Sequence, residues 1–282
     1  MRDNRISVVG AGAMGSGIAQ ALAQSGYTVT LIDVDSAQLR KAEDRIAAGI
    51  DRLVQRESLT AEEGQRVKGR IQTSPNISTA GGASLVIEAV LEELEVKASV
   101  FQELEQHCPA TTVFASNTST IPIVELAAHT NRPERFIGIH FMNPVHAMKL
   151  VEVVRSRQTS DETLGAALAL VTELGKTPVV VNDAPGFMVN RLLVPPLTQA
   201  CSLLQEGVAS MEDIDAAIHL GLGHPMGPFQ LMDLIGLDIV LDMTESIYSR
   251  TQDPACKPSP LLREKVELGQ LGRKTGKGWY SY

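Results

Sequence analysis

Apolar residues fall first in a short stretch at positions 6–9, interrupted only by Ser7, and then, after a cluster of glycines, at helical spacing over 13–24 before Gly26 stops the helix. A second apolar run, 27–32, reads as a strand ending at Asp33. Beyond Asp35 the pattern is that of a long amphipathic helix. Leu39, Ile46, Ile50 and Leu53 share one face, and Arg40, Lys41, Glu43, Asp44, Arg45, Arg52 and Arg56 occupy the others. Thr60-Ala61-Glu62-Glu63 has the form of a capping box and opens another helix, so the pair makes a helical arm off the sheet. Strand-like runs at 71–73, 85–89, 113–115, 136–140, 150–154 and 179–181 follow, with helices at 95–107 and 160–175. Such βα alternation predicts an α/β fold with a mainly parallel, doubly wound sheet. Asn182-Asp183-Ala184-Pro185-Gly186 breaks the pattern, after which 187–206, 210–220 and 227–249 read as helices with no strand signal.

The glycine cluster sharpens this picture. Val8-Val9-Gly10-Ala11-Gly12-Ala13-Met14-Gly15 places a G-x-G-x-x-G turn between a buried strand and a helix. In such a turn Gly10 makes the bend, Gly12 lets backbone N–H groups approach a pyrophosphate, and Gly15 lets the helix pack on its strand. Ala13 and Met14 complete the helix N-terminus that faces the anion. Asp33 lies where a carboxylate would bind an adenosine ribose, and its charge would repel the extra phosphate of NADP. No arginine follows it in Val34-Asp35-Ser36, so NAD is the expected cofactor. The expected organisation is a Rossmann-type, NAD-binding domain with a helical arm over residues 1–184 and an all-α C-terminal domain over 185–282.

Composition narrows the partners. A net charge of −8 argues against a nucleic-acid or anionic-membrane surface. No apolar run approaches the roughly 18 residues of a membrane span, and the first strand starts too near Met1 to leave room for a signal peptide. A cytoplasmic protein is expected. Cys108, Cys201 and Cys256 are odd in number and form no C-x-x-C pair, so neither disulfides nor a metal site is indicated.

Polar residues of interest gather at predicted strand ends: Asp33, Ser116-Asn117-Thr118-Ser119 and His140. A lone histidine there is either a hydrogen-bonded structural group or a proton carrier. Glu152 interrupts Leu150-Val151-Glu152-Val153-Val154. It either faces water by strand alternation or faces His140 and orients the imidazole. Ser119 and Asn190 are caps or helix-surface groups if read singly, and substrate-oxygen contacts if they join that histidine. The basic face with Arg45, Arg52 and Arg56 is either solvated or a site for an anionic substrate tail.

Gly10 to Gly15, Ala115-Ser116-Asn117-Thr118-Ser119, His140-Phe141-Met142-Asn143-Pro144, Asp183-Ala184-Pro185-Gly186-Phe187-Met188-Val189-Asn190-Arg191, Gly223-His224-Pro225-Met226-Gly227-Pro228 and Gly272-Arg273-Lys274-Thr275-Gly276-Lys277-Gly278 together resemble the L-3-hydroxyacyl-CoA dehydrogenases, particularly the bacterial 3-hydroxybutyryl-CoA dehydrogenases. The resemblance spans essentially the whole chain. It implies an NAD-dependent oxidoreductase interconverting (S)-3-hydroxyacyl-CoA, of short chain such as 3-hydroxybutyryl-CoA, and 3-oxoacyl-CoA in fatty acid metabolism. It further implies His140 as general base, Glu152 as its partner, and Ser119 and Asn190 at the substrate oxygen. Asp33, Glu92, Lys97, Asn117, Ser119, Asn143 and Lys274 would contact NAD, and a homodimer would form through the C-terminal domain. Because CoA carries phosphates while the protein is acidic overall, Arg52 and Arg56 on the helical arm are expected to supply part of a local basic patch for it. Thr120 departs from the family pattern, where a second serine is common. The rival readings are a β-hydroxyacid dehydrogenase acting on free acids, whose catalytic lysine is missing beside Asn190, and a catalytically silent NAD-binding protein.

Overall fold

The short apolar stretches become strands of one sheet, whose central members are buried on both faces, whereas the periodic stretches become helices that lay one stripe on that sheet. A computed structural model describes residues 4–282. The strands are β1 (Arg5–Val9), β2 (Thr28–Ile32), β3 (Ile71–Ser74), β4 (Leu85–Glu88), β5 (Val113–Ser116), β6 (Phe136–Phe141), β7 (Leu150–Arg155) and β8 (Thr177–Asn182). Their spatial order is β3-β2-β1-β4-β5-β6-β7-β8. From β3 to β6 every neighbour is parallel. β7 then turns back antiparallel to β6, and β8 follows β7 in parallel. The chain thus builds outward from β1 in both directions, and the ends of β1 and β4 part at the point where the order reverses. Ligands of doubly wound sheets bind at such a point, beyond the carboxyl ends of the strands.

The covering helices are α1 (Ala13–Gln24), α2 (Ser36–Gln55), α3 (Ala61–Gly69), α4 (Leu94–His107), α5 (Ile123–Ala127) and α6 (Asp161–Glu173). Several start where a side chain takes up an orphan N–H, a contact worth ~1 kcal/mol. Asp35 accepts from Ala37 N, Ser160 accepts from Thr163 N, and Thr60 and Glu63 form the expected reciprocal box. Val8, Leu31, Ile87, Ala115 and Ile139 are fully buried in the resulting core. The sequence pattern hid α5, a single turn whose first two N–H groups, on Ile123 and Val124, are both accepted by the Asp183 carboxylate.

The chain falls into two compact units, Met1–Asp183 and Ala184–Tyr282. The second is helical: α7 (Val189–Gln205), α8 (Met211–Ala216) continued by a π-helical turn, α9 (Pro228–Ile235), α10 (Leu237–Thr251) and α11 (Pro260–Glu267). The stretch 227–249, expected as one helix, breaks at Gly236, whose φ of 108° no helix permits. Helix α11 was not anticipated. Phe229, Met232, Val240 and Ile247 centre this unit's own core. Two buried carboxylates tie its last residues down: Asp233 accepts from Trp279 N at 2.8 Å and Tyr280 N at 2.9 Å, and Asp215 accepts from the Tyr280 hydroxyl at 2.8 Å. The three cysteines are buried, and burial pushes the Cys108 and Cys201 thiols up to about 11, so neither is a thiolate nucleophile near neutral pH.

Candidate active site

The phosphate turn is built as its spacing predicts. Gly10 sits at φ 105° and donates to Ile32 O at 2.7 Å; a Cβ there would lie 2.6 Å from the Ala89 carbonyl carbon. A Cβ on Gly15 would strike the Gly10 carbonyl, so these two glycines answer to the protein's own packing. Gly12 does not. A Cβ on it would meet nothing within 4 Å, although it stands at the N-terminus of α1. No side chain caps that helix and its first turn, with Ala13 and Met14, carries no acid. Open room beside uncapped backbone donors fits the pyrophosphate of a dinucleotide. Asp33 belongs to the same turn: one carboxylate oxygen accepts from Ala11 N at 2.7 Å, the other from Asp35 N at 2.9 Å.

Along the same rim, β6 delivers His140 and the antiparallel strand β7 delivers Glu152 directly opposite it. Nδ1 of His140 lies 2.7 Å from Glu152 Oε2. Glu152 is fully buried and His140 nearly so, which sets aside the alternation that would have put the carboxylate in water. The Ser119 segment lies at the end of β5 and is held from below. Glu92 Oε1 accepts from the Thr118 hydroxyl at 2.6 Å, Ser119 N at 2.7 Å and Thr120 N at 3.0 Å. The Thr120 hydroxyl adds a bond at 3.1 Å, so the departure from serine at that position keeps its donor. Burial alone would raise the Glu92 carboxyl, but the Lys97 charge and these donors outweigh it and hold the group below its ordinary range. Asn117 Oδ1 accepts from Phe141 N at 2.9 Å, joining this segment to the strand that carries His140.

Lys97 is placed differently from a surface contact. Its side chain is 1% exposed, with the ammonium 2.7 Å from Glu88 and 3.1 Å from Glu92. Glu88 also accepts from the Ser116 hydroxyl at 2.6 Å and Val90 N at 2.7 Å. Burial pushes the Glu88 carboxyl up, against the pull of Lys97. Sequence reasoning passed over Glu88, yet it interrupts the run Leu85-Val86-Ile87-Glu88-Ala89-Val90 as Glu152 interrupts its own, and that signal could have found it. Lys176 was missed too. Its ammonium bonds Val145 O at 2.6 Å and Met148 O at 2.7 Å, pinning the loop that contains Asn143. Nothing in the pattern around Lys176 marks it.

Arg45, Arg52 and Arg56 line a cleft of about 500 Å³ between α1, α2 and the 143–146 loop, together with His146. Arg45 donates to Ser16 Oγ at 2.9 Å. A larger cavity, about 640 Å³, lies at the opposite end of the strands; its lining is mainly aliphatic, and its titratable members, Tyr27 and Glu173, are hydrogen-bonded to each other. Asn190 and Lys274 belong to the second unit. Asn190 is buried in the first turn of α7, and Lys274 Nζ lies 2.6 Å from Asp238 Oδ1.

Comparison with known proteins agrees with this arrangement. Residues 5–184 match the family description "3-hydroxyacyl-CoA dehydrogenase, NAD binding domain", and residues 186–282 match "3-hydroxyacyl-CoA dehydrogenase, C-terminal domain". A protein of Bradyrhizobium diazoefficiens named 3-hydroxybutyryl-CoA dehydrogenase is 43% identical over 99% of this chain and 95% of its own. The pig mitochondrial protein named hydroxyacyl-coenzyme A dehydrogenase is 41% identical over 98% of this chain and 90% of its own. The crystal structure of (S)-3-hydroxybutyryl-CoA dehydrogenase from Ralstonia eutropha superposes with a TM-score of 0.95 at 43% identity, covering 99% of each chain. With both family domains matched in order from end to end, the chain belongs to the 3-hydroxyacyl-CoA dehydrogenase family and carries its NAD binding domain.

Proposed function

We propose that this protein interconverts (S)-3-hydroxyacyl-CoA and 3-oxoacyl-CoA with NAD, taking a short acyl chain such as 3-hydroxybutyryl-CoA. The observation that carries the reading is the buried His140–Glu152 pair, 2.7 Å apart, on the rim that also bears the phosphate turn. When bound, NAD supplies the hydride acceptor in oxidation and the donor in reduction. His140 takes the substrate hydroxyl proton in oxidation and returns it in reduction. Ionised Glu152 accepts from Nδ1, fixing the ring so that Nε2 carries the exchange. Ser119 and Asn190 hold the substrate oxygen, and Arg52 and Arg56 meet the CoA phosphates. Gly12 and the first-turn backbone of Ala13 and Met14 hold the pyrophosphate in the turn that Gly10 and Gly15 make possible, and Asp33 holds the ribose, with Glu92, Asn117, Asn143 and Lys274 completing the cofactor set and Lys97 serving it through Glu92.

The same proposal covers assembly and location. Leu192, Leu220, Leu222 and Leu234 are between 48% and 78% exposed on the second unit, an apolar surface suited to a homodimer contact. Among the described residues no helix is long and apolar enough to cross a membrane, and a cytoplasmic location is proposed.

Loss of NADH absorbance with acetoacetyl-CoA, set against longer and dicarboxylic 3-oxoacyl-CoA substrates, tests the reading. His140→Ala is expected to slow turnover by about 10² to 10⁴-fold while NADH still binds, the usual worth of a positioned proton carrier. Reduction, which needs the protonated ring, is expected to peak at lower pH than oxidation. A His140→Ala enzyme with near-normal rates, or superimposable pH profiles when chemistry limits the rate, would refute the assignment.

A further inference from the structure

We infer that Glu88 is a positioning residue for this reaction, because it anchors a ring of hydrogen bonds, buried except at Glu92, that fixes the backbone carrying Ser119. The ring can be followed atom by atom. Lys97 Nζ donates to Glu88 Oε1 at 2.7 Å, and the Ser116 hydroxyl donates to Glu88 Oε2 at 2.6 Å. Ser116 Oγ in turn accepts from Thr118 N at 3.1 Å. The Thr118 hydroxyl donates to Glu92 Oε1 at 2.6 Å, and Glu92 Oε2 returns to Lys97 at 3.1 Å. Glu88 is fully buried, and Ser116 and Thr118 are likewise closed to solvent.

Apart from those of Val90, whose N–H donates to Glu88 Oε1 at 2.7 Å, the ring's backbone bonds fall on one segment. N–H groups of Thr118, Ser119 and Thr120 point into it, through Ser116 for the first and Glu92 for the other two. Those donors belong to the loop between β5 and α5, where no ladder partner is available to set the backbone. Aliphatic side chains of similar volume would fill this place at lower desolvation cost, since a buried ion pair rarely stabilises a fold more than good apolar packing. What a polar ring adds is a single permitted loop geometry, with each donor aimed at one acceptor. Lys97 has 1% of its side chain exposed, so it acts on the rim through these carboxylates. Glu92 then presents Ser119, and Glu88 holds Lys97 and Ser116 where Glu92 needs them.

The inference rests on the reading of Ser119 as a substrate-oxygen contact, and a double-mutant cycle on the full enzyme separates the two. Glu88→Gln keeps the shape and removes the charge that holds Lys97. It is expected to lower kcat for acetoacetyl-CoA reduction by about tenfold to a hundredfold, the scale of a small misplacement at a reacting centre, with the NADH Kd from fluorescence titration changed by less than about threefold. In a Ser119→Ala background the same change is expected to cost less than about twofold more, because the group being positioned is gone. Ser116→Ala removes only the ring hydroxyl and is read in the same way if Glu88→Gln does not fold. Losses that multiply independently would overturn the role assigned to Glu88. So would a drop in melting temperature with kcat unchanged, since that is what a purely structural group gives. If His140→Ala also keeps its activity, the reaction itself has been misread; if it is inactive while the Glu88 and Ser119 losses add, only the ring has.

Discussion

Asp33 is tied into its own turn before any cofactor arrives, with both oxygens accepting backbone N–H groups, from Ala11 and from Asp35. Asp33→Asn keeps one acceptor oxygen and removes the charge, which isolates the electrostatic part of cofactor choice from the turn's geometry. The ratio of kcat/KM for NADPH to that for NADH is expected to rise by roughly tenfold or more, since a phosphate a few ångströms from a half-solvated carboxylate meets a repulsion of ~1–4 kcal/mol. An unchanged ratio would place Asp33 away from the ribose. Single residues were legible where they broke a local rule. Glu152 drew notice because a carboxylate in an apolar run costs several kcal/mol unless it is matched, and the structure supplies the match in His140. Lys97 gave the opposite lesson. A lysine on an amphipathic helix is ordinarily solvated, and only the fold reveals that Glu88 and Glu92 enclose it.

At the scale of elements, the Ser116–Thr120 segment leans on Glu92 as well as Glu88, and the response of the Glu92 bonds to acid can be worked out. Glu92 is held below its ordinary range, so the unfolded chain binds its proton first. The stability it contributes is full above the ordinary carboxylate range and fades as pH falls through the lowered value. Wild-type melting temperature should therefore exceed that of Glu92→Gln at pH 7, and the gap should close as pH falls below the ordinary carboxylate range. A constant gap would mean that charge on Glu92 does not matter to the fold. Helix α2 carries a second expectation, because Arg52 and Arg56 line the cleft beside the 143–146 loop. Replacing both with alanine is expected to raise KM for acyl-CoA severalfold at low salt, and much less at ionic strengths that shrink the Debye length to about 3–5 Å. Equal KM effects at low and high salt would return them to a solvated face. Elements were readable wherever a cap or a clean period marked them, as at Thr60 and Ser160. They were not where the apolar period runs straight through a break, as from Ile235 across Gly236 into Leu237, or where a helix is one turn long and its cap, Asp183, is remote in sequence.

For the whole molecule, the two units have separate cores, and every group proposed to hold the phosphates, the ribose and the transferred proton lies before residue 184. A fragment ending at Ala184 is expected to fold as a monomer and bind NADH more weakly than the full chain, which also has Lys274. It should not turn over acyl-CoA, lacking Asn190. Light scattering, an NADH titration and an activity assay decide the matter, and an active fragment would end this division of labour. Val194, Leu197, Phe229 and Met232 are internal to the second unit, whereas Leu192, Leu220, Leu222 and Leu234 are among the apolar side chains at its surface. The global plan was legible because β and α periods alternate so regularly; that the last two strands reverse was not, since a strand's composition says nothing of its direction. That reversal bears on how the gene can vary. His140 faces Glu152 across the antiparallel seam between β6 and β7, where neighbouring side chains alternate between faces. One codon gained or lost between Leu150 and Glu152 would slide the ladder a single step, bring a valine opposite the histidine and turn the carboxylate to the far side of the sheet. The same change within the 143–148 loop can be absorbed by its curvature. Insertions and deletions among descendants of this chain should therefore gather in that loop and spare the first half of β7, however freely the valines there exchange with isoleucine.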